Sequence, residues 1–209
     1  MTGAAAQVPP PAGGVELLQR AIRYALRAAH AVTPECLSRP TPCQGWDLRM
    51  LLRHVCESVA ALQEGLDTGR VALCPGSDDE AAADPTATFR ARASRLLDAW
   101  TNAARHGRDI DIADQQLADT VMAGAGALEI AVHGWDISQT CGHQQPIPLD
   151  LAVELLAIAS LLVPETNRHP LFAAPVAVPP TAEPGERLLA FLGRDVGGAK
   201  TGAGGSAAG

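Results

Sequence analysis

Apolar residues recur along this chain at helical spacing. Leu17, Leu18, Ile22, Leu26 and Ala29 share one face of a helix predicted over 15–32, and Pro34 ends it. A second stripe of Leu48, Leu51, Leu52, Val55, Val59, Leu62 and Leu66 predicts a helix over 48–66, with Asp47 as its N-cap. Asp84 followed by Pro85 is a start signal for a third helix, whose pattern runs through Phe89, Ala93, Leu96, Leu97 and Trp100 to residue 104. A fourth helix is predicted over 120–141 with Gly142 at its end, a fifth over 149–163 after Pro148, and a short last one over 183–192. Between them, 67–83 is rich in Gly, Pro, Asp and Ala and reads as loop. Residues 105–119 are polar and irregular, and the proline-rich 170–180 is extended. No segment alternates as a strand does. The expectation is an all-α chain: a bundle of antiparallel helices over 15–196, with extra short helices at its C-terminal end.

Two features need a special reading. The fourth helix contains Gly124 and Gly126, and each glycine in a helix interior costs about 1 kcal/mol against alanine. Either the helix begins near Ala127, or small residues are needed there for close packing or ligand access. Between the first two helices, Arg39-Pro-Thr-Pro-Cys43-Gln-Gly45-Trp46-Asp47 has the prolines and glycine of a shaped loop. Residues 1–14 read as a flexible leader and 197–209 as a disordered Gly/Ala tail.

Composition narrows the function. The 209 residues are 47% apolar and only 3% aromatic, which leans toward helices. The net charge of −7 argues against nucleic acid, because phosphate neutralisation needs clustered Lys and Arg. The two sparse basic runs, Arg20, Arg23, Arg27 and Arg90, Arg92, Arg95, read as solvated helix faces. The five cysteines, Cys36, Cys43, Cys56, Cys74 and Cys141, are odd in number and include no Cys-x-x-Cys. A disulfide framework is therefore not expected. With no signal-peptide pattern and no run of about 18 apolar residues, the expectation is a soluble cytoplasmic protein with no membrane partner.

The candidate chemistry lies in Gly126-Ala-Leu-Glu129-Ile-Ala-Val-His133-Gly-Trp135-Asp136. Glu129 and His133 are spaced i, i+4, so one helix face presents a carboxylate and an imidazole one turn apart. His54, beside the stripe of the second helix, is a third candidate, with small residues Ser58 and Ala61 one and two turns away. Two imidazoles and one carboxylate make a site for zinc, and also for nickel, iron or manganese, with a coordination position left open for reaction. The spacing alone is weak, since such pairs arise on exposed helices. The apolar setting of Ile130, Ala131, Val132 and Trp135 argues against a solvated face. Asp136 reads as a surface charge, with support of His133 as the alternative. Cys43 reads as a small buried hydrophobe rather than a nucleophile, and Trp46 and Trp135 as packing residues. His30, His106, His143 and His169 have no partner at a telling spacing. There is no His-Glu-x-x-His, no Gly-x-Ser-x-Gly and no glycine loop after a strand.

Three separated segments carry a resemblance. Thr41-Pro-Cys-Gln-Gly-Trp46-Asp47 with Leu51-Leu-Arg-His54 resembles the first ligand helix of the mycothiol-dependent maleylpyruvate isomerase N-terminal-like proteins, of the DinB-like superfamily. Glu129-Ile-Ala-Val-His133-Gly-Trp135-Asp136 resembles the second. Phe172-Ala-Ala-Pro-Val-Ala-Val-Pro and Glu186-Arg-Leu-Leu-Ala-Phe-Leu-Gly-Arg194 resemble the C-terminal signature of a short actinobacterial branch. The resemblance implies a DinB-like four-helix bundle whose divalent metal is held by His54, Glu129 and His133. It further implies a metal-activated low-molecular-weight thiol, mycothiol-like, used to add to or isomerise a small electrophile. The isomerase proper carries an additional C-terminal domain and this chain ends soon after the bundle, so maleylpyruvate isomerisation is not the expected reaction and the substrate stays open. Two other readings remain: a thiol-independent tailoring cyclase or isomerase using the bundle cavity, and a non-catalytic protein that binds a metal or small molecule. Relatives of this kind often pair, so a homodimer is an open expectation.

Overall fold

The computed structural model describes residues 13–68, 83–105, 113–164, 166, 168 and 172–197, with side chains described except at 66–68, 100–105 and 113–120. Most of the leader, the tail beyond 197, most of the loop 67–83 with Cys74, and His106 and His169 lie outside the described residues.

Six α-helices and one 3-10 turn make up the described chain, and no strand occurs among the described residues. The helices are α1 (Gly14–Ala29), α2 (Leu48–Thr68), α3 (Pro85–Arg105), α4 (Ala113–Thr140), α5 (Leu149–Leu162) and α6 (Pro184–Phe191). The 3-10 turn Pro34–Cys36 lies between α1 and α2. Helix α1 packs on α4, α4 on α2, α2 on α3, and α3 back on α1. That ring closes a four-helix bundle, with α5 and α6 laid against its α4 side. The fold is the all-α bundle expected from the apolar stripes.

Each stripe is buried where its spacing puts it. Leu17, Leu18, Ile22 and Ala25 of α1, Leu48, Leu51, Leu52 and Val55 of α2, and Phe89, Ala93 and Leu96 of α3 meet in one core. Burial of each large aliphatic side chain contributes about 1.5–3 kcal/mol. The start signals also act as read. Asp47 Oδ1 accepts from the Met50 amide at 2.8 Å, and Asp84 Oδ1 accepts from Thr86 and Ala87 at 3.1 and 3.0 Å.

Helix α4 departs from the expectation at its start. It begins at Ala113, inside the segment read as irregular, so it runs 28 residues. It is also uninterrupted through Gly124 and Gly126, which resolves the choice above in favour of packing. A Cβ on Gly126 would lie 2.6 Å from a Leu62 methyl, and one on Gly134 would lie 3.0 Å from the Ala25 Cα. The glycines let α2 and α1 approach the α4 backbone, at the level of the candidate ligands.

Candidate metal centre

Helices α2 and α4 face each other across the bundle, and His54 and Glu129 meet between them. His54 Nε2 lies 2.5 Å from Glu129 Oε1, and His133 Nε2 lies 3.3 Å from the same oxygen. One ligand atom from each of the three residues lies within 4.8 Å of the others. The two imidazole rings stand at 90° with centroids 5.2 Å apart, so both aim at one point without stacking. Ser58 Oγ donates to Glu129 Oε1 at 3.3 Å, and Trp46 packs edge-on against His54 at 4.9 Å. The small residue beside His54 thus serves the carboxylate, and Trp46 borders the site.

The shaped loop holds Trp46 there. Thr41 N and Oγ1 donate to the Trp46 carbonyl at 2.9 and 3.0 Å, and Gly45 takes a left-handed φ of +82°. Asp47 then starts α2, which delivers His54 two turns later.

Behind His133 lies a second layer, Asp136 and Arg194, of which the sequence offered only Asp136, and that as the alternative reading. Asp136 has no exposed surface, so its reading as a surface charge is corrected. Burial alone would raise its carboxyl, but the hydrogen bond from His133 and the charge of Arg194 outweigh burial and hold it below the usual carboxylate range. As a carboxylate it only accepts, so His133 Nδ1 carries the proton and donates to Asp136 Oδ2 at 2.9 Å. Nε2 is then the nitrogen that faces Glu129, with a proton in the metal-free chain or a lone pair once that proton is displaced. Arg194 Nη2 donates to Asp136 Oδ2 at 2.9 Å. Its placement follows from a Schellman end to α6: Gly193, at φ +83°, donates to Ala190 and Arg194 N donates to Leu189. A Cβ on Gly193 would lie 2.6 Å from Ala173, so glycine is required twice over. The signal in the sequence was Gly193 closing a short helix in the C-terminal motif. Its partner, 58 residues away on another helix, was not legible.

The donor set fits a divalent cation. A carboxylate oxygen and a lone pair on His133 Nε2, 3.3 Å apart, repel unless something positive sits between them. Bonds of about 2.0–2.2 Å to one zinc-sized ion would place two ligands at about that separation, while His54 Nε2, at 2.5 Å, stands at hydrogen-bond distance from the same oxygen. Without such an ion, protons fill the role. Burial alone lowers the His133 imidazole, but hydrogen bonds and charge from Asp136 and Glu129 outweigh it and raise it to about 9. A second group, Cys43, His133 and Asp136, also brings three donor atoms within 4.8 Å. There the guanidinium of Arg194 already supplies the positive charge, with Nη2 3.8 Å from Cys43 Sγ. Burial pushes the half-buried Cys43 thiol up, which disfavours a nucleophilic thiolate.

Access is from one side. The side chains of His54 and Glu129 are each 35% exposed, against 7% for His133. A separate cavity of about 410 Å³ lies on another face of α4, lined by Trp135, Gln139, Ile147, Pro184, Leu189 and Val196. None of the three candidate ligands lines it.

The mycothiol maleylpyruvate isomerase N-terminal domain family matches residues 18–138, more than half of the chain and all three candidate ligands. The chain belongs to this family. Membership points at family level to mycothiol-related, metal-dependent chemistry. Asp136 lies within the matched span, whereas Arg194 lies beyond it. Two strains of Mycobacterium tuberculosis carry uncharacterized proteins 28% identical over 167 residues, covering 79% of this chain and 88% of theirs. No solved structure gives a significant match. No helix among the described residues is long and apolar enough to cross a membrane.

Proposed function

We propose that the protein is a metal-dependent enzyme that uses a low-molecular-weight, mycothiol-like thiol to attack or isomerise a small electrophilic substrate. The observation that carries this reading is the convergence of His54 Nε2 and His133 Nε2 on one Glu129 oxygen, at 2.5 and 3.3 Å. In this proposal His54, Glu129 and His133 hold one divalent metal, zinc in first place. When bound, the ion supplies Lewis acidity that makes a thiolate available at neutral pH.

The chain's own residues set the conditions for that chemistry. Asp136 fixes the His133 tautomer, and Arg194 balances the Asp136 charge so that the carboxylate stays a pure acceptor. Ser58 fixes one Glu129 oxygen, and Trp46 limits the motion of His54. The partly exposed His54 and Glu129 form the mouth through which thiol and electrophile arrive. The net charge of −7 supports a small-molecule substrate over nucleic acid.

The test is turnover of a panel of small electrophiles (an activated alkene, an epoxide, an aryl halide) with and without a low-molecular-weight thiol. The expected result is thioether or isomer formation that needs thiol and is lost on chelation and in Glu129→Ala. Product formed equally without thiol would replace this reading with a thiol-independent isomerase or cyclase. Metal binding with no product on any thiol would leave a binding protein.

A further inference from the structure

The cavity beside α4 has the size of a ligand site, since its volume of about 410 Å³ falls within the range of small-molecule pockets. Trp135 and Gln139, spaced i, i+4, form one wall, on a different face of α4 from Glu129 and His133. Ile147 and Leu149 at the entry to α5, and Leu189 of α6, extend that wall into an apolar surround. The 144–147 segment is pinned on both sides. Gln145 N donates to Ser138 Oγ at 3.1 Å, and Tyr24 Oη donates to the Gln145 carbonyl at 2.8 Å. The walls are thus set by the fold itself.

Two polar groups in this wall are left open. Trp135 is only 7% exposed, yet its indole N–H has no hydrogen-bond partner among the described residues. Buried polar groups are ordinarily paired, so an open N–H calls for an acceptor. The nitrogen is not sealed in the core either. Among the described residues, the sealed side-chain atoms without a partner are all arginine nitrogens. The N–H therefore reaches open space, and the open space that Trp135 lines is this cavity. The amide of Gln139, half-buried one turn on, is likewise without a partner among the described residues.

Charge narrows the occupant. No Lys or Arg lines the cavity, and its charged lining residues are Glu183 and Glu186. Both are spent on starting α6: each carboxylate accepts the other's backbone N–H in a capping box, Glu186 Oε2 from Glu183 N at 3.1 Å. An anion meets two carboxylates there, and a cation has to compete with the helix start for them. We propose that the cavity is a second small-molecule site, for a neutral, mostly apolar molecule whose carbonyl accepts from Trp135 Nε1 beside the Gln139 amide. The site does not depend on the metal chemistry proposed above, because none of the three candidate ligands lines it.

The experiment titrates the isotope-labelled full chain with benzophenone, a neutral apolar ketone, and follows the indole N–H signals of its three tryptophans by NMR. The expected result is a saturable shift of the one signal that Trp135→Phe removes. Diphenylmethane, which lacks the carbonyl, is expected to bind about 2- to 12-fold more weakly, and benzoylbenzoate, an anion, more weakly than the ketone. Gly185→Leu fills the cavity from α6. A Cβ there stands 3.6 Å from the Ile147 carbonyl oxygen, an ordinary contact, so its Tm is expected to hold while benzophenone binding is lost. His54→Ala is expected to bind benzophenone as wild type does. The proposal is overturned by any of four results: no saturable shift of the Trp135 signal up to the solubility of benzophenone, equal binding of diphenylmethane, wild-type binding in Gly185→Leu, or lost binding in His54→Ala.

Discussion

His133 is gripped from both ends: Nδ1 donates to Asp136 Oδ2 at 2.9 Å, and Nε2 points at Glu129. Asp136→Asn removes the charge that fixes this tautomer, and it is expected to weaken metal binding about 10- to 100-fold in a chelator competition. The same variant leaves Arg194 buried without its counter-charge, a loss that at such sites costs about 3–5 kcal/mol, so its urea midpoint falls as well. The pH dependence has a definite sign. In the metal-free chain the His133 imidazole is raised to about 9, so its stabilising contribution is full below about 6.5 and is lost as pH rises through about 9. Metal must displace that proton. Apparent affinity is expected to rise about tenfold per pH unit from neutrality and to flatten above about 9, as read by competition titration. A flat profile across that range would count against His133 as a ligand. The three candidate ligands were legible as an i, i+4 pair plus one histidine beside a stripe. Asp136 was misread because its helix is buried nearly all round at that level, so periodicity no longer separates core from surface.

Helix α4 meets three neighbours at once, and its glycines are tuned to different ones. A Cβ at Gly134 would stand 3.0 Å from the Ala25 Cα, a backbone atom of α1 that cannot step aside. Gly134→Ala is expected to destabilise by about 1–3 kcal/mol in chemical denaturation. At Gly124 the nearest atom is the Ile158 Cδ1, 3.3 Å away at the flexible end of a side chain. There the gain of about 1 kcal/mol in helix propensity offsets the shift, so Gly124→Ala is expected to be neutral or stabilising. Equal losses at both positions would contradict this packing account. The glycines themselves were visible in the sequence, but the backbone they admit was not. The early start of α4 at Ala113 was hidden for a different reason: Asp114, Gln115, Gln116 and Asp119 offer too few apolar positions to show a stripe.

As a whole, the molecule is a ring of four helices in which α2 and α4 supply the candidate ligands and α6 sends Arg194 back to brace them. The ring was legible because each stripe has one apolar face with a single place to bury it. The brace was not, because it joins residues through a tertiary contact that no local pattern encodes. An ion held between two core helices binds only the folded state. At a free concentration about 100-fold above Kd it stabilises by about 2.7 kcal/mol, which for a chain of this size raises Tm by roughly 5–11 °C. Chelation is expected to remove that increment in wild type and to do nothing in His54→Ala. The most direct measurement is elemental analysis of purified, metal-reconstituted wild type beside His54→Ala. The predicted result is one divalent ion per wild-type chain and far less than one in the variant. Wild type with no stoichiometric metal, or a variant that retains as much as wild type, would contradict the His54–Glu129–His133 centre.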